Sequence, residues 1–121
     1  MSMPLLICDD SNMARKQVAK SLPEHWEAEV TFACNGVEGL KAIREGKGEI
    51  VFLDLTMPEM DGYHVLESVR EENLKAMIIV ISGDIQPEAQ DRVKKLGALA
   101  FIKKPINKDK LAATLQEYGL Y

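Results

Sequence analysis

Charged and polar side chains stand at four points where short apolar segments of the chain end. Asp9 and Asp10 follow the first segment, Asp54 follows another, Ser82 follows a third and Lys104 follows the last. If these segments are neighbouring parallel strands, their carboxyl ends meet at one edge of a sheet. The sequence therefore predicts a site that combines three carboxylates, a hydroxyl and an ammonium group.

This combination of groups suits phosphoryl transfer. Two carboxylates about 4 Å apart repel by roughly 4 kcal/mol at an effective dielectric constant of about 20, so three require a cation or a raised pKa. Lys104 offsets one charge, and Mg²⁺, which prefers oxygen ligands, would offset the rest. A carboxylate can act as the nucleophile toward phosphorus, while the ion shields the approach of the phosphoryl group. Ser82 and Lys104 would then bind the phosphoryl oxygens.

Five apolar segments alternate with stretches of helical periodicity. The predicted strands are Leu5–Cys8, Val30–Ala33, Ile50–Leu53, Met77–Ile81 and Ala98–Ile102. All but Val30–Ala33 are apolar throughout, which is typical of strands buried on both faces of a parallel sheet. The second is the weakest, which favours an edge position. The predicted fold class is α/β, a doubly wound (βα)5 flavodoxin-like fold with strand order 2-1-3-4-5 and helices on both faces.

The helical stretches carry their own start and stop signals. Ser11, Asp61 and Asn107 stand where N-caps are expected, Pro87 is expected to open the fourth helix, and Gly97 to end it. The first three helices are predicted over residues 12–22, 36–45 and 62–71. The apolar positions of the second and fourth helices are Val37, Leu40, Ile43, Ala89, Val93 and Leu96, and we expect them to face the core.

The composition describes one globular domain over residues 1–121, with 46% hydrophobic and 28% charged residues. The net charge of −4 argues against DNA or RNA as the main ligand. No apolar run approaches the roughly 18 residues of a membrane helix and no signal peptide is recognisable, so we expect a cytoplasmic protein without a membrane partner. Cys8 and Cys34 lack a metal-ligand spacing, and both are expected to be buried, reduced thiols.

The polar positions and their neighbours resemble the receiver domain of two-component response regulators over essentially the whole chain. Each motif alone is common, but their joint order at the strand ends is specific. The motifs are Asp9-Asp10, Asp54-x-x-Met57-Pro58-x-Met60-Asp61-Gly62, Ser82-Gly83 and Phe101-x-x-Lys104-Pro105.

The resemblance implies that Asp54 accepts a phosphoryl group from the phosphohistidine of a histidine kinase or phosphotransfer protein. Asp10, Asp54 and the backbone carbonyl of Thr56 would bind Mg²⁺ directly, and Asp9 would act mainly through a metal-bound water. The protein would then be a phospho-acceptor switch that assists its own phosphorylation and dephosphorylation, not an enzyme with a separate substrate.

The resemblance assigns the remaining positions to the response. Ser82 would hydrogen-bond the phosphoryl group, and Lys104 would form an ion pair with it. Phe101 stands at the position of the switch aromatic, more often Tyr, and would turn inward when Ser82 moves toward the phosphate. Thr56 and Asp84 would modulate the phosphate lifetime, with the direction of the Asp84 effect left open.

The implied output is a protein–protein contact through the fourth helix, the last strand and the last helix. That face carries lysines that contact an unknown output protein or are simply solvated: Lys94, Lys95, Lys103 and Lys108. Homodimerisation through it is left open. The chain is either a stand-alone regulator, as in chemotaxis, or a receiver domain from a longer regulator.

Three other functions are weighed against this one. An aspartyl-phosphate-forming phosphatase of the haloacid dehalogenase type would need a second acid two residues after the nucleophile, where this chain has Thr56. A flavodoxin-like electron carrier would need a phosphate-cradling loop where Asp9 and Asp10 would repel the flavin phosphate. The complete set of site residues disfavours a receiver-like domain that no longer accepts phosphate.

Overall fold

Five strands alternate with five helices in the computed structural model, which describes residues 3–83 and 86–120. The strands are β1 (Met3–Cys8), β2 (Ala28–Ala33), β3 (Ile50–Asp54), β4 (Met77–Ser82) and β5 (Ala100–Lys103). The helices are α1 (Asn12–Ser21), α2 (Gly36–Arg44), α3 (Gly62–Glu71), α4 (Pro87–Lys95) and α5 (Lys108–Glu117). Within these ranges, no helix is long and apolar enough to cross a membrane.

The strands form one parallel sheet in the order β2-β1-β3-β4-β5, which confirms the predicted fold class. The register aligns the carboxyl ends of the three central strands, because Cys8 pairs with Leu53, and Asp54 pairs with Ile81. The polar residues that end these strands therefore reach the same edge of the sheet. The weakly apolar strand β2 lies at one edge, as predicted.

The sheet separates two apolar layers, because alternate residues of a strand point to opposite faces. In β1, Leu6 and Cys8 pack in the layer that contains α2, α3 and α4, while Leu5 and Ile7 pack in the layer that contains α1 and α5. All four are almost completely buried, and burying a side chain of the size of Leu or Ile contributes about 1.5–3 kcal/mol. The two layers hold the central strands in register and so fix the edge where the site lies.

The predicted helix boundaries largely agree with the structure. The side chains of Ser11, Asp61 and Asn107 each accept a hydrogen bond from a backbone N–H in the first turn of the helix that follows. Pro87 lies in the first turn of α4, and Gly97, with φ of 102°, follows its end. A cap of the same kind from Asn35 precedes α2.

Two predictions of burial were wrong. Val37 is 50% exposed, because α2 turns its small residues Gly36 and Gly39 toward the rest of the molecule together with Leu40. Cys34 is exposed, because it comes directly after the edge strand β2. Cys8 is buried, as predicted, because it lies in β1, which has a neighbouring strand on each side.

Candidate functional site

Three carboxylates meet at the carboxyl edge of the sheet. Asp9, Asp10 and Asp54 each present an oxygen, and these atoms lie within 4.8 Å of one another. Asp9 is 4% exposed and Asp54 is 7% exposed, whereas Asp10 is open to solvent. The three carboxylates therefore meet as the strand-end pattern predicted, and the structure adds that two of them are buried while one faces solvent.

Lys104 places its ammonium group between the two buried acids. Its Nζ lies 3.1 Å from Asp9 Oδ2 and 3.4 Å from Asp54 Oδ1. The backbone N–H of Lys104 donates to the carbonyl of Ser82 at 2.9 Å, and the Lys104–Pro105 peptide bond is cis. Burial lowers the pKa of Lys104, but the carboxylates of Asp54 and Asp9 outweigh that effect, so its pKa is raised. The lysine is therefore a permanent cation of the site.

The charge of Asp54 is disfavoured in this arrangement. Burial, followed by repulsion from Asp9 and Asp10, raises the pKa of Asp54 to about 6 from its ordinary value of 3.8, although Lys104 acts in the opposite direction. One ammonium group is thus insufficient to balance the acids. A hard cation with oxygen ligands would relieve the excess negative charge, and this donor set fits Mg²⁺.

Asp9 is also held by two contacts from the beginning of the chain segment that forms α1. Its Oδ1 accepts the backbone N–H of Ser11 at 2.9 Å. The guanidinium group of Arg15, from α1, donates to the carbonyl of Asp9 at 2.6 Å. Sequence reasoning missed Arg15, because a basic residue on an amphipathic helix is ordinarily solvated. Its position six residues after Asp9 carries no distinctive signal.

The segment after β3, residues 55–61, is here called the acceptor loop. The carbonyl of Leu55 accepts the N–H of Gly62 at 3.0 Å, which joins the start of the loop to the start of α3. Thr56 follows Leu55 and is exposed at the site edge. The N–H of Gly36 donates to the carbonyl of Met60 at 3.1 Å, which joins the far end of the loop to α2.

A buried thiol lies beneath the acceptor loop. Cys8 Sγ lies 3.3 Å from the carbonyl oxygen of Asn35 and 3.6 Å from the sulfur of Met57. Burial, and then the negative charge of Asp9 and Asp54, raises the pKa of Cys8 to about 12. Cys8 therefore remains a protonated donor that packs against the loop.

The predicted response residues lie on the β4–β5 side of the site. Ser82 is 3% exposed, and it pairs with Lys103 in the sheet register. Phe101 is half-buried against the layer of α2, α3 and α4, and it lines a cavity of about 300 Å³ together with residues of α4 and Tyr118. Asp84 lies outside the described residues, so its assignment stays a prediction.

The sequence is similar to known proteins over most of its length. The sequence model of the response regulator receiver domain matches residues 5–116. The chemotaxis protein CheY of Listeria monocytogenes is 35% identical over 116 residues, which cover 95% of this chain and 97% of that protein. A protein-glutamate methylesterase/protein-glutamine glutaminase of Geobacter sulfurreducens is 39% identical over 102 residues, which cover 84% of this chain and 27% of that protein.

The lengths of the relatives differ widely. The chain spans between 25% and 46% of the length of four curated relatives, and almost the whole length of the Listeria protein. Among solved structures, the chemotaxis protein CheY4 of Vibrio cholerae superposes with a TM-score of 0.85 at 28% identity, covering 97% of this chain and 98% of that one. A receiver domain of the response regulator AraT from Geobacillus stearothermophilus gives a TM-score of 0.84 at 28% identity, covering 97% of this chain and 92% of that chain.

Proposed function

Because this chain belongs to the response regulator receiver domain family of two-component systems, we propose that it is a cytoplasmic switch driven by phosphorylation of Asp54. The observation that carries the proposal is the contact of one ammonium group, Lys104 Nζ, with both Asp9 and Asp54 inside a cluster of three carboxylates. Residues 1–121 would form one receiver domain. The phosphoryl donor would be the phosphohistidine of a histidine kinase or phosphotransfer protein.

Asp54 acts as the nucleophile in this proposal. One of its carboxylate oxygens attacks phosphorus, and the new O–P bond forms as the N–P bond of the donor breaks. The electron pair of that bond remains on the imidazole nitrogen of the donor. Because the pKa of Asp54 is about 6 without a metal, its carboxylate is the main form above that pH.

Mg²⁺ fits the oxygen ligands present. Asp10, Asp54 and the backbone carbonyl of Thr56 would hold it directly, and Asp9 would contact it through a water. When bound, the ion would supply positive charge that offsets the incoming phosphoryl group. Burial and the neighbouring carboxylates raise the pKa of Asp54, and this supports the assignment, since a divalent ion would favour the ionised carboxylate.

The response would begin at Lys104 and Ser82. The ammonium group of Lys104 would exchange part of its contact with the carboxylates for a phosphoryl oxygen, and the hydroxyl of Ser82 would donate a hydrogen bond to another. Movement of Ser82 toward the phosphate would let Phe101 turn further inward, while Thr56 and Asp84 would tune the lifetime of the phosphoryl group. The face of α4, β5 and α5 would then bind an output protein or a second copy.

Intact-mass spectrometry after incubation with acetyl phosphate and Mg²⁺ tests the proposal. We expect one added phosphoryl group on the wild type and none without Mg²⁺ or in Asp54→Asn. If no adduct is seen, rapid hydrolysis is separated from inactivity by titration with beryllofluoride, a stable mimic of the phosphoryl group. A wild-type protein that neither gains mass nor binds beryllofluoride would contradict the proposal.

A further inference from the structure

We propose that Gly36, at the start of α2, is a positioning residue for the magnesium site and acts through the acceptor loop. This inference rests on the proposed function, because it assigns the carbonyl of Thr56 as a metal ligand. Gly36 belongs to neither the carboxylate cluster nor the residues that would contact the phosphoryl group. Its effect would come from where it holds the loop that carries Thr56.

The contact between Gly36 and the loop leaves no space for a side chain. The N–H of Gly36 donates to the carbonyl of Met60 at 3.1 Å. A Cβ added at Gly36 would lie 2.2 Å from the carbonyl oxygen of Met60, whereas real Cβ atoms essentially never come closer than 3.0 Å. Gly36 does not lie in the left-handed region, so this position requires glycine for space and not for backbone conformation.

The obstruction is backbone, so it cannot rotate out of the way. Besides the carbonyl oxygen, the carbonyl carbon and Cβ of Met60 would each lie 2.8 Å from the added atom. Either the loop moves outward or the start of α2 recedes. Both movements break the bond from Gly36 to Met60 that joins the far end of the loop to α2.

Loss of this contact would change the metal site selectively. The near end of the loop is joined to α3 through Leu55 and Gly62, and Met57 is packed against the thiol of Cys8. Neither contact determines how far Met60 lies from α2. Thr56 is exposed between the buried residues Leu55 and Met57, so a shift at Met60 would reach its carbonyl through the backbone of residues 57–60. A ligand carbonyl that is displaced or mobile weakens metal binding.

Gly48 offers a control at the other end of β3. A Cβ there would lie 3.0 Å from Val51 Cγ2 and 3.3 Å from Leu6 Cβ, so this position is also crowded. None of the three nearest atoms belongs to the acceptor loop. Gly48→Ala therefore makes the same exchange at a crowded position without displacing the loop.

The experiment is calorimetric titration of Mg²⁺ into the wild type, Gly36→Ala and Gly48→Ala, with thermal unfolding of each. We expect Gly36→Ala to raise the dissociation constant of Mg²⁺ about tenfold or more, and Gly48→Ala to change it less than about twofold. Wild-type affinity in Gly36→Ala, or equal weakening in both variants, would overturn the inference. A wild-type protein that binds no Mg²⁺ would instead contradict the proposed function.

A second pair of variants applies if Gly36→Ala does not fold. Asn35→Ala removes the cap that accepts the N–H of Glu38 at 2.9 Å, which loosens the first turn of α2 without a collision. Asn107→Ala removes the corresponding cap of α5, which accepts the N–H of Lys110 at 2.8 Å. We expect a several-fold weaker affinity for Mg²⁺ only in Asn35→Ala. Unchanged affinity in folded Asn35→Ala would count against the role of Gly36.

Discussion

Helices α3 and α4 both follow a strand that ends in a site residue, yet they are attached to the molecule in different ways. Helix α3 starts with a cap from Asp61 to the N–H of His64, and four of its residues are buried: Gly62, Val65, Leu66 and Val69. The N-cap residue of α4 is Gln86, whose side chain makes no cap hydrogen bond. Only Ala89 and Val93 of α4 are buried.

Helix α4 is instead joined to α3 by contacts at the surface. The guanidinium carbon of Arg92 lies 3.9 Å from the centre of the Tyr63 ring. Arg70, from α3, donates to the carbonyl of Lys95 at 3.0 Å. Contacts of this kind contribute less than buried apolar area does.

This difference in attachment separates the acceptor loop and α3, which hold the phospho-acceptor Asp54 of the proposed function, from α4, which would respond to phosphorylation. Metal ligands and a nucleophile require fixed positions, and the acceptor loop is joined to both α2 and α3. An element that changes its contacts at low free-energy cost is drawn from the less stable parts of a fold. In the proposed function, α4 has that role.

The largest effect on the free energy of unfolding is expected from the charge of Asp54, which lies next to the firmly attached acceptor loop and α3. The pKa of Asp54 is raised from 3.8 to about 6, so the folded, metal-free protein disfavours the carboxylate. Its unfolding free energy should therefore increase as the pH falls through 6 toward 4, by up to about 3 kcal/mol from this group. Asp54→Asn lacks this contribution.

Denaturant unfolding of both proteins, without metal, measures this dependence. We expect Asp54→Asn to be the more stable protein at about pH 7.5, with an advantage that shrinks toward about pH 4.5. Added Mg²⁺ should stabilise the wild type more than the variant at the higher pH. A difference in stability that does not change with pH would show that the site tolerates the charge of Asp54.

Substitutions at the N-caps of α3 and α4 test whether capping accounts for part of the difference in how firmly the two helices are attached. Asp61→Ala should lower the unfolding free energy by about 1 kcal/mol, because it removes the hydrogen-bond acceptor for His64 N–H. Gln86→Ser should raise it by about 0.5–1 kcal/mol, because serine is a far better N-cap and residue 86 already has an extended backbone.

Amide hydrogen exchange locates the effect of Gln86→Ser. We expect slower exchange in α4 and unchanged exchange in α3. If exchange in α4 stays as in the wild type while Asp61→Ala destabilises as expected, the weaker attachment of α4 arises from its small buried surface and not from its start.

The smallest effect is expected for the contact of Arg92 with Tyr63. A double-mutant cycle with Arg92→Leu and Tyr63→Leu should give a coupling free energy of about 0.5–1 kcal/mol, measured by denaturant unfolding. The leucines retain apolar contact area while they remove the cation and the ring. Additive effects of the two substitutions would show that the two side chains do not hold α4 to α3.

Patterns of short range predicted most of the fold. The apolar segments around Ile50–Asp54 and Met77–Ser82 read correctly as buried strands, and Ser11 and Asp61 read correctly as caps. Such patterns work because side-chain alternation and capping involve residues close together in the chain. The meeting of the acids at one edge followed from the rule that parallel strands end together.

The positions that the sequence predicted wrongly or missed are those whose environment is set by parts of the chain far away in sequence. Cys34 and Val37 resemble their buried neighbours in type, and only the edge position of β2 and the rotation of α2 expose them. In the sequence Arg15 is indistinguishable from a solvated surface charge, and only the structure shows that it donates to the carbonyl of Asp9. In the sequence Gly36 is typical of a turn, and only the structure shows that the backbone of Met60 lies directly against it.

The sequence by itself determined the alternation of strands and helices, the caps that begin three of the helices, and the meeting of three carboxylates and a lysine at one edge of the sheet. Each of these depends on residues that are near in the chain or on general rules of chain connection. Only the tertiary structure decided that Lys104 contacts both Asp9 and Asp54, that the pKa of Asp54 rises to about 6, and that Gly36 touches the acceptor loop. These properties depend on distances of a few ångströms between segments far apart in the chain, which packing of the two apolar layers against the sheet sets.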